Sequence, residues 1–171
     1  MPYPRGQLNV DLLGALEGWL PNGQHEPSAI DLTQEALMGS NQQMLAFLNH
    51  LLELIQERVM YTQRHVGPAW TAGRTLRERI GSCRDLAMLM VACCRVAGLP
   101  ARFVSGYQLQ QPAPEQYDLH AWTEVYLPGA GWRGFDPSAG REVNERYVVL
   151  ATSSKPELTA AVSGTFSGPP N

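Results

Sequence analysis

The hydrophobic period of this chain changes at Pro100, and that change constrains the fold more than any other feature of the sequence. Before Pro100, apolar residues recur at the three- and four-residue spacing of amphipathic helices. After Pro100, apolar and polar residues alternate with the two-residue period of β-strands. Helices followed by an antiparallel sheet are typical of the α+β class, which we therefore predict.

Two helical patterns precede the last helix before Pro100. The stronger one runs from Ser40 to about Tyr61, with residues 40–43 as a capping box and an apolar face that we expect to form core. A short helix is predicted to open at Thr75 and to stop at Gly81. The fold prediction also includes additional helices nearer the N-terminus.

The helix just before Pro100 has clear signals at both ends. Ser82 and Asp85 fit the Ser-x-x-Asp form of the capping box, and Gly98 fits the position just past the helix end. Cys83 is therefore predicted as the first helical residue. There the positive end of the helix dipole and the unpaired backbone N–H groups favour the thiolate, which is the nucleophilic form. The same N–H groups could face a developing oxyanion.

Beyond Pro100 we expect strands over residues 101–109, 119–127 and 132–136, with one more at 147–151. A nucleophilic cysteine needs a base, and the base needs an orienting group. His120, near the start of one strand, and Asp136, at the end of the next, supply both residue types. The alternatives are a core histidine at His120 and a simple turn starter at Asp136-Pro137.

The hairpin between these strands decides whether the two side chains can meet. A four-residue turn that pairs Leu127 with Trp132 places Asp136 on the sheet face away from His120. A three-residue turn or a bulge moves Asp136 opposite Trp122, onto the face that carries His120. The catalytic hypothesis therefore predicts the shorter turn or an irregular register.

Composition excludes several classes of function. The 171 residues, 44% of them hydrophobic, suffice for one domain over 1–171, with a core at about 40–151 and a weakly ordered tail at 152–171. A net charge of −3 argues against nucleic acid as a partner. No apolar run approaches the roughly 20 residues that cross a bilayer, so no membrane partner is expected.

Neither a metal nor another cofactor is expected. The spacings typical of zinc and calcium sites are absent from the sequence. Residues 129–134 match G-x-G-x-x-G, but an extended segment follows them where a dinucleotide site needs a helix. The N-terminus lacks the apolar stretch of a signal peptide, so the three cysteines predict free thiols and a cytoplasmic location. Cys93 and Cys94 are expected to be buried core residues.

Three separated blocks resemble the transglutaminase-like superfamily, specifically its bacterial branch of candidate cysteine proteases, over about residues 55–150. The blocks are Gly81-Ser82-Cys83-Arg84-Asp85, the segment from Gly98 to Tyr107, and the segment from Leu119 to Trp132 continued by Phe135-Asp136-Pro137-Ser138. The resemblance implies a papain-like core, in which the nucleophile helix packs on an antiparallel sheet.

By the same resemblance, Cys83 is the nucleophile, His120 the base and then the acid, and Asp136 the orienting carboxylate. Trp122 and Tyr107 are expected to line the site, with sheet packing as the alternative for both. Two departures stand out. Ser138 occupies a position where the family more often has Thr, and no papain-type glutamine precedes the cysteine, so oxyanion donors beyond the Cys83 N–H are unassigned.

Three functions are compatible with these residues. The first is a thiol-dependent hydrolase of amide bonds in a peptide or protein substrate. The second is acyl transfer from glutamine to an amine, which shares the same acyl-enzyme. The third is a non-catalytic binding module on the same fold. A small chain without calcium-site spacing favours hydrolysis, and the intact cysteine, histidine and aspartate argue against the binding module.

Overall fold

The structure is a computed structural model that describes residues 14–20, 25–41, 43–110 and 112–159. Its helices are α1 (Pro27–Gly39), α2 (Met44–Arg58), α3 (Ala72–Glu78) and α4 (Cys83–Val96), with 3₁₀ turns at Glu17–Trp19 and Pro156–Thr159. No helix in these ranges has the length and apolar character needed to cross a bilayer.

The strands form two sheets. The strands are β1 (Met60–Tyr61), β2 (Ile80–Gly81), β3 (Ala101–Gln108), β4 (His120–Leu127), β5 (Gly131–Asp136), β6 (Arg141–Glu142) and β7 (Tyr147–Ser153). The larger sheet has the order β6-β5-β4-β3-β7, and all its neighbours are antiparallel. The short β1 and β2 pair in parallel. The predicted α+β class is confirmed.

Helix α4 is the centre of the core. It contacts α1, α2 and α3 on one side, and β3 and β4 on the other. Its apolar side chains, such as Leu86, Leu89 and Met90, are fully buried. The Thr123 hydroxyl of β4 donates a hydrogen bond of 2.9 Å to the carbonyl of Ala87, which docks the helix on the sheet.

Both predicted ends of α4 are confirmed. Ser82 is the N-cap, and its backbone N–H donates to Asp85 Oδ2 at 2.8 Å in a capping box. At the other end Gly98 has a φ of 78°, and the N–H of Leu99 donates back to the Cys94 carbonyl at 2.9 Å. This is the Schellman arrangement, in which a glycine without a Cβ adopts the left-handed conformation.

The predicted start of the 40–61 helix is wrong. Ser40 closes α1 instead, because its hydroxyl donates to the Leu37 carbonyl at 2.9 Å, and α2 begins at Met44. The predicted end is also too late. Val59 is already extended, and the two residues after it form β1, which pairs with β2.

The short third helix lies earlier than predicted. Thr71 is its N-cap, and the Thr71 side chain accepts a hydrogen bond from the N–H of Arg74. Arg79 ends the helix in the left-handed conformation, with a φ of 57°, while Gly81 belongs to β2. Past Thr152, in the segment expected to be a weakly ordered tail, β7 continues to Ser153 and the second 3₁₀ turn follows at Pro156–Thr159. The rest of the predicted tail, 160–171, lies outside the described residues.

Candidate active site

The β4–β5 hairpin has the shorter of the two turns considered. Leu127 pairs directly with Gly131, so three residues make the turn. Gly131 takes a φ of 72°, a backbone conformation that residues with a Cβ rarely adopt. Pairing then continues in register along β5, which brings Asp136 to the sheet face of His120. The predicted condition for these two side chains to meet is fulfilled.

The Asp136 side chain is fully buried and accepts hydrogen bonds on both oxygens. Oδ2 accepts from His120 Nε2 at 2.7 Å and from the Tyr147 hydroxyl at 2.8 Å. Oδ1 accepts from the Ser138 N–H at 2.9 Å, the Ser138 hydroxyl at 2.6 Å and the Ala139 N–H at 3.1 Å. The turn after β5 therefore fixes the carboxylate that holds the imidazole.

Cys83 completes the group as the first residue of α4. Its half-buried side chain lines the same cleft as His120, and the thiol is near enough to help raise the His120 pKa. Because His120 Nε2 faces Asp136, Nδ1 is the ring nitrogen left for the thiol. The structure thus brings together all three residues that the sequence singled out.

The charges of this group support one another. Burial opposes a charged imidazole, but the hydrogen bond to Asp136 and the nearby Cys83 outweigh burial and raise the His120 pKa to about 9. Burial likewise opposes ionisation of Asp136, yet its bonds to His120, Ser138 and Tyr147 lower the pKa of that carboxyl. The ionised carboxylate and the protonated imidazole are therefore the favoured forms near neutral pH.

A cleft of about 1240 Å³ gives access to the thiol and the imidazole. Residues between 61 and 69 form one wall, residues between 108 and 119 form another, and the 3₁₀ turn at 156–159 adds an edge. His65 lies in the first wall. The cleft is large enough for an extended segment of a substrate chain.

Trp122 and Tyr107 do not line this cleft. Trp122 is fully buried, and its ring packs against Tyr147 at 5.3 Å and near His120 at 6.3 Å between centroids. Gly106 leaves room for this ring, since a Cβ there would lie 2.6 Å from it. Trp122 therefore supports the imidazole from within the sheet layer, in keeping with sheet packing, the alternative considered for it.

A second buried carboxylate lies at the start of α4. Asp85 accepts a hydrogen bond of 2.5 Å from Arg64 Nη2 and one of 2.7 Å from the N–H of Trp70, in addition to its bonds from Ser82. Burial opposes its ionisation, but these donors outweigh burial and lower the Asp85 pKa. The ion pair between Arg64 and Asp85 connects the first cleft wall to the helix that carries Cys83. The sequence indicated the cap but not Arg64.

The other two cysteines differ chemically from Cys83. Cys93 and Cys94 are free and fully buried in the core face of α4, as predicted. Burial raises the pKa of Cys93 to about 12 and that of Cys94 well above its usual value. Both are therefore held as neutral thiols.

Comparison with known proteins places the chain in a family. The model of the transglutaminase-like superfamily matches residues 31–137, which is more than half of the chain. A protein of Mycobacterium tuberculosis is 38% identical over 85 residues, covering 44% of this chain and 27% of the relative. The protein-glutamine gamma-glutamyltransferase of Pseudomonas aeruginosa is 40% identical over 67 residues, covering 35% of this chain and 10% of the enzyme.

Solved structures agree with the family match. A Cytophaga hutchinsonii protein described as a candidate cysteine protease superposes with a TM-score of 0.67 at 27% identity, covering 94% of this chain and 52% of that protein. The periplasmic domain of TgpA from P. aeruginosa superposes with a TM-score of 0.59 at 26% identity, covering 77% of this chain and 49% of that domain. The chain therefore spans about half the length of these structures and about a quarter of the mycobacterial relative. It belongs to the transglutaminase-like superfamily.

Proposed function

We propose that this chain is a thiol-dependent hydrolase of amide bonds in a peptide or protein substrate. The observation that carries the proposal is that Cys83 and His120 line one cleft, with His120 hydrogen-bonded to the buried Asp136. A nucleophile, a base and an orienting carboxylate in contact are the arrangement that acyl-transfer chemistry needs. The Cytophaga protein described as a candidate cysteine protease supports the same assignment.

Each residue has one role in the proposed reaction. The Cys83 thiolate attacks the substrate carbonyl carbon, and the C–N bond of the resulting tetrahedral intermediate breaks as His120 gives its proton to the leaving amine. The product is a thioester on Cys83. Neutral His120 then takes a proton from water, the hydroxide attacks the thioester, and the acid leaves with the thiolate restored. Asp136 keeps the imidazole in place and stabilises its charged form.

The oxyanion faces the N-terminus of α4. The backbone N–H of Cys83 is the first of the helix and has no partner within the helix, so it is available to donate to the developing charge. The helix dipole points its positive end in the same direction. The Asp85 cap lies on the first turn of this helix, but its charge is matched by Arg64.

Acyl transfer to an amine is the second candidate, because a relative in P. aeruginosa is named protein-glutamine gamma-glutamyltransferase. Its first step is the same attack, here on the side-chain amide of glutamine with loss of ammonia. An amine in place of water then resolves the thioester. The two functions therefore differ in which nucleophile reaches Cys83 during the second step.

The first experiment is the rate of iodoacetamide alkylation at Cys83 as a function of pH, followed by mass spectrometry of the modified residue. The proposal predicts fast modification well below the roughly 8.5 pKa of a free cysteine. The His120→Ala variant should react more slowly at low pH, and the matched control His25→Ala should behave as the parent. A Cys83 that titrates as a free thiol in the parent would exclude both enzymatic functions and leave a binding module.

The second experiment separates the two enzymatic functions. The parent and a Cys83→Ala variant are incubated with a peptide library, with and without a fluorescent primary amine. Cleavage of peptide bonds by the parent alone supports hydrolysis. Attachment of the amine to glutamine side chains without cleavage identifies the chain as an acyltransferase and overturns the hydrolase assignment.

A further inference from the structure

The hydrogen bond from His120 to Asp136 is followed by two more, which involve Tyr147 and Gln108. The Tyr147 hydroxyl donates to Asp136 Oδ2, the same oxygen that accepts from His120, with distances of 2.8 and 2.7 Å. The side-chain amide of Gln108 in turn donates to the Tyr147 hydroxyl at 2.9 Å. Gln108 also lines the cleft. A continuous path of hydrogen bonds thus leads from the cleft wall to the carboxylate.

We propose that Tyr147 is a positioning residue that sets how strongly Asp136 holds the charged His120, and that Gln108 orients it. This inference rests on the proposed function, because its effect is on the imidazole of the same site. Tyr147 touches the carboxylate and has no role in bond making or breaking.

The fold places these residues together by strand register. β7 pairs with β3 so that Tyr147 lies directly opposite Gln108. The Tyr147 ring packs edge-on against Trp122, with centroids 5.3 Å apart, and lies 6.1 Å from the His120 ring. The ring is therefore held from two sides before its hydroxyl makes any hydrogen bond.

The carboxylate has little freedom to respond by rotating. Three donors from Ser138 and Ala139 occupy Oδ1, so Oδ2 alone is shared between His120 and Tyr147. Two donors on one oxygen divide its negative charge, and each weakens the hydrogen bond of the other. Removing the hydroxyl therefore leaves more of that charge for the imidazole.

Tyr147 is a permanent donor at this position. Burial and the neighbouring Asp136 raise its pKa to about 12, while Arg141 on β6 opposes that rise. The other ionisable groups around the pair are Cys83 and Tyr61, both of which line the cleft. Tyr147→Phe leaves all of these groups in place, so the change in the His120 pKa measures the contribution of the Tyr147 hydroxyl alone.

The test is a titration of the His120 ring by proton NMR in the parent, Tyr147→Phe and Gln108→Met, with the signal assigned from His120→Ala. Phenylalanine keeps the ring that packs on Trp122 and removes the hydroxyl alone. We expect the His120 pKa to rise by about half to one unit in Tyr147→Phe, as for loss of a hydrogen bond to a charged group. Gln108→Met should shift it in the same direction by less.

The control is Tyr126→Phe, a hydroxyl removed from the far end of β4, where the ring packs on Trp132. An unchanged His120 pKa in both test variants overturns the inference, as does an equal shift in Tyr126→Phe. If Tyr147→Phe does not fold, Gln108→Met alone decides. Alkylation of Cys83 in the same parent sample separates failure of this inference from failure of the proposed function. If Cys83 in the parent reacts as a free thiol, both the role of Tyr147 and the proposed function are overturned. If Cys83 is reactive but the His120 pKa does not shift in the variants, only the role of Tyr147 is overturned.

Discussion

Asp85 and Asp136 are both fully buried carboxylates, and hydrogen bonds lower the pKa of both against the effect of burial. They differ in the cation that each one holds. Asp85 is paired with Arg64, a guanidinium that stays charged at every relevant pH. Asp136 is paired with His120, whose charge changes near its pKa of about 9. The first pair is a permanent fastening of the cleft wall, whereas the second can gain and lose a proton during a reaction.

The comparison shows that a buried, strongly bonded carboxylate does not by itself mark a reactive site. Structural ion pairs perturb pKa values as catalytic groups do. What separates the two is the partner, since only a titratable partner next to a nucleophile can serve acid–base chemistry. Loss of the Asp85 carboxylate should therefore lower stability, whereas loss of the Asp136 carboxylate should lower the reactivity of Cys83.

Asp85→Asn should produce the largest effect, and that effect should be on stability. It leaves the partly buried guanidinium of Arg64, whose side chain is 18% exposed, without its counter-ion, and should cost up to about 3 kcal/mol of unfolding free energy, the lower end of the range for breaking a buried ion pair. Urea denaturation measures this loss. The matched control is Glu35→Gln, which breaks an exposed ion pair with Arg58 and should cost less than about 1 kcal/mol. Cys83 in the folded variant should keep its reactivity at low pH.

Asp136→Asn should act mainly on reactivity. Without the carboxylate the charged imidazole loses its partner, and the His120 pKa falls toward its ordinary value. At pH 7.5, about one unit above that ordinary value and well below the folded pKa of about 9, the protonated fraction of His120 should fall about tenfold, so alkylation of Cys83 at this pH should slow by up to about tenfold. Asp118→Asn, a cleft carboxylate two residues before His120, provides the charge control. A larger loss of reactivity in Asp85→Asn than in Asp136→Asn would contradict the distinction between the two pairs.

Both pairs should weaken on acidification, but only the pair of Asp136 and His120 should also be lost as pH rises. The folded pKa of His120 is raised, so its stabilising contribution is complete below about pH 6.5 and is lost as pH rises toward 9. The folded pKa values of Asp85 and Asp136 are lowered, so their contributions exist above about pH 4 and are lost on acidification.

Urea denaturation between pH 6.5 and 8, where unfolded cysteines are still mostly protonated, reports mainly the histidine contribution. The parent should lose about 1–2 kcal/mol over this interval, and His120→Ala should lose much less. Asp85→Asn should keep the slope of the parent. Equal slopes in the parent and His120→Ala would show that the imidazole has no raised pKa in the folded state.

The sequence predicted best where the signal is local. Both ends of α4 carry capping residues within a few positions, so its start at Cys83 and its stop before Gly98 could be predicted to the residue. Ser40 shows the limit of such signals, because a serine hydroxyl can close one helix as well as open the next. Which of the two occurs depends on packing of α1 that no short pattern encodes.

The site could be predicted only in part, because its contacts join residues that are distant in the sequence. Whether Asp136 meets His120 depended on a turn one residue shorter than the simplest pairing, and the glycines around that turn allowed either choice. Tyr147 and Arg64 reach their carboxylates across 11 and 21 residues, through strand register and loop geometry. No spacing rule connects such positions, so neither residue could be singled out from the sequence.

The smallest expected effect comes from the side chain of Ser138. Its hydroxyl donates to Asp136 Oδ1, but the backbone N–H groups of Ser138 and Ala139 donate to the same oxygen and remain in any variant. Ser138→Ala should therefore change Cys83 alkylation at pH 7.5 by no more than about threefold, since one of several hydrogen bonds is lost. Ser138→Thr should match the parent because it keeps the hydroxyl. A loss in Ser138→Ala as large as that in Asp136→Asn would mean that the hydroxyl, rather than the turn backbone, orients the carboxylate.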